Sequence, residues 1–198
     1  MPGVQHMRHT HLPEHKFVKG EPQTGVEMAE DLERIAMNFG GENIAACIIE
    51  PIAGSTGTLV PPKGYLKRIR EICNKHGILL IFDEVITGWG RTGSAFAAQE
   101  WNVTPDIMTM AKATTNGVVP MGVVAVKEEI YDSVLDASSA PEGTPELFHG
   151  YTYSGIPVAV AAALAVQDIF DKEDIFKRAK EMSPYLQDGL QSLKDLKE

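Results

Sequence analysis

Two short runs constrain this chain more than anything else in it. Residues 43–50 (NIAACIIE) and 78–84 (ILLIFDE) are apolar almost without a break, and each ends in a carboxylate. Between them, residues 64–77 (GYLKRIREICNKHG) place Tyr65, Leu66, Ile69, Ile72 and Cys73 on one helical face, with Gly77 as a stop. Strand, helix and strand in this order form a βαβ unit, and strands apolar on both faces predict a mostly parallel sheet covered by helices. Two more short strands are predicted at 106–111 (DIMTMA) and 122–126 (GVVAV). The spacing of Met28, Leu32, Ile35 and Ala36 predicts a helix within 25–39, and the Ala-rich run at 156–170 predicts another. Residues 51–62 read as a loop, residues 1–25 as irregular, and the stretch from 171 onward as charged helix.

Charge and composition remove several function classes. The net charge is −9 and no long basic run exists, which argues against a nucleic-acid or anionic-membrane partner. No run of ~18 apolar residues suits a membrane span, and no early apolar segment suits a signal peptide. Cys47 and Cys73 fall on a strand and a helix, as expected of reduced core thiols in a cytoplasmic protein, with a disulfide between them left open. His6, His9, His11 and His15 crowd the first segment. They read as part of a solvated loop or as a zinc site, and the ligand spacing of a zinc site is missing.

Residues 78–93 (ILLIFDEVITGWGRTG) carry G-x-G-x-x-G at Gly88, Gly90 and Gly93. A dinucleotide loop needs its first glycine at the strand end and a helix directly after its last. Here Asp83 to Thr87 intervene, and the residues after Gly93 suit at most a short helix. The glycines are read instead as permitting a tight loop against another surface. Asp83 closes the apolar strand, where open α/β sheets present ligand-binding groups. It reads as such a group or as an ordinary loop cap. Lys112 comes after a short strand and precedes a small polar loop, and reads as a functional amine or a surface lysine. Thr152, ahead of a helix, reads as a cap or a phosphate ligand.

Together these stretches resemble the class III (ω-amino acid) aminotransferases, which use pyridoxal 5'-phosphate. The likeness runs through residues 48–93, 104–122 and 148–165 in the family's order. Within the family it is to the β-alanine/ω-amino acid:pyruvate branch, in IAGS, HGYTYS and the TNG after the lysine. The resemblance implies an α/β fold: part of the fold-type-I large domain, a mostly parallel sheet flanked by helices, with the start of the small C-terminal domain. It implies that Lys112 forms the Schiff base with the cofactor aldehyde and moves a proton during catalysis. It implies that Asp83 pairs with the pyridine nitrogen, Val85 packs on the ring face and Glu50 lines the site. Thr152 would contact the cofactor phosphate from a neighbouring subunit, which implies a homodimer. The substrates implied are a small amino donor, an ω-amino acid or amine, and a keto-acid acceptor, pyruvate.

Three residues depart from the family pattern. Ile156 stands in a motif that often reads SGHP, Trp89 stands where phenylalanine is commoner, and Ala113 comes after the lysine in place of a frequent glycine. The resemblance further implies an internal fragment, with 1–165 belonging to the cofactor domain and 166–198 to a linking helix and the start of the small domain. The alternative is a non-catalytic or truncated α/β chain that keeps the lysine and aspartate without turning over.

Overall fold

The helical face read from residues 64–77 forms α2 (Tyr65–His76), bounded by left-handed glycines at Gly64 and Gly77. In the computed structural model, which describes residues 3–137, 149–194 and 196, α2 joins β1 (Ala46–Ile49) to β2 (Leu79–Asp83). The two strands pair in parallel from Ala46–Leu79 to Ile49–Phe82. Tyr65, Leu66, Ile69, Ile72 and Cys73 are all buried, and they pack with Leu80, Phe82 and Cys47 in one core. A second helix, α1 (Glu30–Phe39), adds Leu32 and Ala36 to that core. Each fully buried Leu, Ile or Phe here contributes about 1.5–3 kcal/mol relative to exposure, so this cluster carries most of the local stability.

The sheet continues with β3 (Ile107–Met110), parallel to β2, and β4 (Val123–Val126), antiparallel to β3, in the order β1-β2-β3-β4. The connection from β3 to β4 holds only a 3-10 turn at Lys112–Thr114. Without a crossover helix the chain returns antiparallel. Strand alternation turns Cys47, Leu80, Phe82 and Met110 toward the buried side. The other side is open among the described residues: Ile48 is 62% exposed, Val124 65% and Val126 44%. The expected cover on both faces is therefore met on one only, by α1 and α2.

Helix α3 (Ala97–Glu100) is short, in agreement with the sequence. α4 (Glu128–Asp136) comes after β4, and α5 (Pro157–Lys172) begins on Pro157, whose fixed φ suits a first helical turn. A left-handed Asp174 separates α5 from α6 (Ile175–Gln191). No helix is long and apolar enough to cross a membrane among the described residues. Cys47 and Cys73 are free buried thiols, and a shared hydrogen bond together with burial pushes the Cys47 thiol up, holding it neutral. His15 is buried between the Thr10 carbonyl at 3.1 Å and the Thr24 hydroxyl at 3.3 Å, a satisfied structural histidine. No cluster of three or more potential metal ligands occurs among the described residues.

Asp106, just before β3, ties three elements together. Its carboxylate accepts Arg70 of α2, the Leu80 amide of β2 and Lys127 ahead of α4, each at 2.7 Å. Burial alone would raise its pKa, but the bonds from Lys127, Leu80 and Arg70 outweigh burial and lower it. A lowered folded-state pKa contributes stability that is complete above the unfolded value of about 3.9 and is lost as pH falls through the folded value. Asp106→Asn should therefore destabilise the protein at neutral pH, and the difference should shrink below about pH 4. A gap in urea midpoint between the two proteins that stays constant into strong acid contradicts this role.

Candidate functional site

Three parallel strands end side by side, and three of the residues singled out from the sequence lie at those ends. Glu50 is the residue directly after β1, Asp83 closes β2, and Lys112 comes just after β3. The register pairs Asp83 with Thr109, and the Glu84 amide donates to the Thr109 carbonyl at 2.9 Å, locking the two strand ends together. The carboxyl ends of such strands are where open α/β sheets bind ligands.

Each side chain has a definite local setting. Glu50 Oε2 accepts the Gly54 amide at 2.9 Å and closes the turn after β1. A Cβ on Gly54 would lie 2.6 Å from Ile86 Cδ1, so a side chain there would push Ile86 of the loop after β2 aside. Asp83 Oδ1 accepts the Val85 amide at 3.0 Å, and Val85 itself is half-buried. Lys112 is exposed, makes no ion pair among the described residues, and has φ 45°. A left-handed backbone at a lysine is strained, on the order of 1 kcal/mol or more, and must be held by its surroundings. Thr152 lies exposed in the turn before α5. That turn is closed by the Tyr151 amide on the Ser154 hydroxyl at 2.9 Å. The described residues join Thr152 to none of the other four.

The glycine loop packs on helices, as its context suggested. Gly90 and Gly93 have φ 96° and 87°; a Cβ on Gly90 would meet the Phe176 ring at 2.5 Å, and one on Gly93 would meet Lys180 Cβ at 2.9 Å. Both contacts are with α6. Between Gly88 and Gly90, Trp89 stacks on Phe170 of α5 with ring centroids 6.1 Å apart, and meets Phe96 edge-on at 4.9 Å. Its indole Nε1–H donates to the Thr114 hydroxyl at 3.0 Å.

Two further residues shape the site without having been singled out. Glu84 is fully buried; its carboxylate accepts the Thr87 hydroxyl at 2.9 Å and the Ala97 and Ala98 amides at 2.8 Å each, pinning the whole loop from 84 to 98. Thr114, also buried, links Trp89 to the lysine turn. The one local signal for Glu84 in the sequence is Thr87 three positions on. Nothing local signals Thr114, because its partner Trp89 is distant in sequence.

Chemically the strand ends offer an exposed primary amine, a strand-end carboxylate and a second carboxylate closing an adjacent turn. The sequence profile of the family described as aminotransferase class-III matches residues 1–198. An omega-aminotransferase of Caulobacter vibrioides is 54% identical over 194 residues, covering 98% of this chain and 44% of that protein. A beta-alanine–pyruvate aminotransferase of Pseudomonas aeruginosa is 48% identical over 195 residues, covering 98% of this chain and 43% of that protein. The crystal structure of an (S)-enantioselective omega-transaminase from Thermomicrobium roseum is 43% identical with a TM-score of 0.79, covering 85% of this chain and 36% of that one. An engineered thermostable omega transaminase reaches a TM-score of 0.86 at 34% identity, covering 98% of this chain and 43% of that one. The chain thus spans less than half the length of these relatives, and its sheet and helices are part of the fold-type-I architecture of pyridoxal-phosphate enzymes. A profile match along the whole chain, together with this fold and an amine and carboxylate at its strand ends, makes the chain a member of the class III aminotransferases.

Proposed function

We propose that the protein carrying this chain moves an amino group from an ω-amino acid or amine to a keto acid, pyruvate, with Lys112 as the residue that holds the cofactor covalently. The observation that carries this reading is Lys112 itself: an exposed amine on a strained left-handed backbone at the end of β3, beside the strand that ends in Asp83. Class III aminotransferases are pyridoxal phosphate enzymes. The donor set fits that group, since an amine matches its aldehyde and a carboxylate its pyridine nitrogen. When bound, the cofactor supplies an electron-withdrawing ring that stabilises negative charge on the substrate carbon.

The remaining work falls to the chain's own residues. Lys112 Nζ would act as the base that takes the proton from the substrate carbon and then as the acid that delivers it to a second carbon, so that the amino group is left behind. Asp83 would pair with the ring nitrogen, its carboxylate oriented by the Val85 amide, which donates to Oδ1 at 3.0 Å. Val85 bears on the ring face, and Glu50, fixed by Gly54, lines the pocket. Thr152 serves the phosphate of a neighbouring subunit's site in a homodimer, a role its exposure supports. Residues 1–165 contribute to the cofactor domain and 166–198 lead toward the small domain; the division falls inside α5, which acts as the linking helix. The amino donor and acceptor are those in the names of relatives, among them an omega-amino acid–pyruvate aminotransferase of Pseudomonas putida at 47% identity.

Incubation with pyridoxal phosphate, borohydride reduction and peptide mapping should place the label on Lys112, and the unreduced protein should form alanine from β-alanine and pyruvate. Label on Lys63 or Lys127 instead would sink the assignment. Lys127 is in any case engaged by Asp106 at 2.7 Å.

A further inference from the structure

The geometry points to Trp89 as a positioning residue for Lys112, acting through the Thr114 hydroxyl. The inference rests on the reading of Lys112 as the cofactor-holding amine. The Thr114 hydroxyl accepts the Trp89 indole N–H at 3.0 Å and donates to the Ala111 carbonyl at 3.0 Å. That carbonyl belongs to the peptide joining Ala111 to Lys112, so its orientation sets φ at the lysine. The Thr114 amide donates to the same carbonyl at 3.0 Å, and the Gly117 amide donates to the Lys112 carbonyl at 3.1 Å. Both peptides flanking the Lys112 Cα are therefore tethered. Without such tethers a left-handed lysine relaxes toward the α or β region, and its amine swings away.

Trp89 is itself held firmly enough to serve as an anchor. Its backbone is left-handed at φ 63°, and its amide donates to the Ala95 carbonyl at 2.6 Å. Phe96 and Phe170 fix its ring. Phenylalanine, commoner here in the family the chain resembles, would keep the ring contacts and lose the donor. Thr114 is buried, so the hydroxyl has no water to replace that partner. Removing the Thr114 hydroxyl leaves the indole N–H without this acceptor, and removing the indole takes away the bond that orients the hydroxyl toward the Ala111 carbonyl.

The test uses the full protein in four forms: parent, Trp89→Phe, Thr114→Val and the double variant. Without cofactor, amide hydrogen exchange at Thr114 and Gly117 should quicken about fivefold in Trp89→Phe, the size of one lost hydrogen bond, with β1 and β2 unchanged. With pyridoxal phosphate, borohydride-trapped label on Lys112 should accumulate about fivefold more slowly in each single variant. The double variant should be no slower than the slower single, because the coupling between the two positions is then already gone. Unchanged exchange in Trp89→Phe, or single effects that multiply in the double variant, overturns the inference. Absence of label from Lys112 in all four forms overturns the cofactor reading alone, since exchange at Thr114 and Gly117 still reports the clamp.

Discussion

Lys112→Ala is expected to abolish transamination while leaving the fold intact. The lysine is exposed and makes no ion pair among the described residues, so its side chain contributes little to stability. Substitutions at such surface positions usually shift stability by no more than about 0.5 kcal/mol. Loss of the proton-transfer group alone costs about 10²–10⁴-fold in rate, and loss of covalent attachment adds to it. Alanine formation should fall below detection, while the thermal midpoint stays within a few degrees of the parent. A variant that retains turnover means that another amine does the work. The same variant tests the subunit arrangement. Mixed with Thr152→Ala, itself expected to be impaired through weak phosphate binding, it should regain activity in hybrid dimers, because one of the two sites then combines an intact Lys112 with an intact Thr152. No recovery, with subunit exchange verified, means that Thr152 serves its own chain's site.

Asp83→Asn is expected to lower the rate by about 10²-fold or more, since stabilisation of developing charge by a fixed group is commonly the largest single contribution to catalysis. Asparagine keeps the volume and an acceptor oxygen for the Val85 amide, so the turn after β2 should survive. The loss is confined to the negative charge at the strand end. Turnover at saturating cofactor within about threefold of the parent contradicts the role assigned to Asp83.

The parts of this fold legible in the sequence are those governed by local periodicity. The apolar face of α2, its stop at Gly77 and the short helix after Gly93 all arise from patterns within one turn or one loop. The βαβ unit brings the ends of β1 and β2 with it, so Glu50 and Asp83 are legible at one end of the sheet, and Lys112 joins them because β3 runs parallel to β2. The return of β4 in the antiparallel sense is not legible, because strand direction depends on the connection rather than on the strand. Nor is the open face with Ile48 and Val124: a strand apolar on both sides predicts cover without saying which segment provides it. Glu84 and the Trp89–Thr114 bond escape for a related reason. Apart from Thr87, their partners lie 13, 14 and 25 residues away and meet only after the loop has folded. Failure of the dinucleotide reading, by contrast, is visible in spacing alone, and the glycines do press against another surface.

The contact at Gly90 bears on how this chain can vary. Its missing side chain leaves the space that the Phe176 ring of α6 fills, so the loop and the helix share one small volume. In a library randomised at both positions and selected for folding, residue 90 should stay glycine even beside something smaller at 176, because φ 96° strains any other residue there and a side chain at 90 also meets the ring. The familiar run of glycines is then a record of which helix lies against the loop, written far from that helix in the sequence.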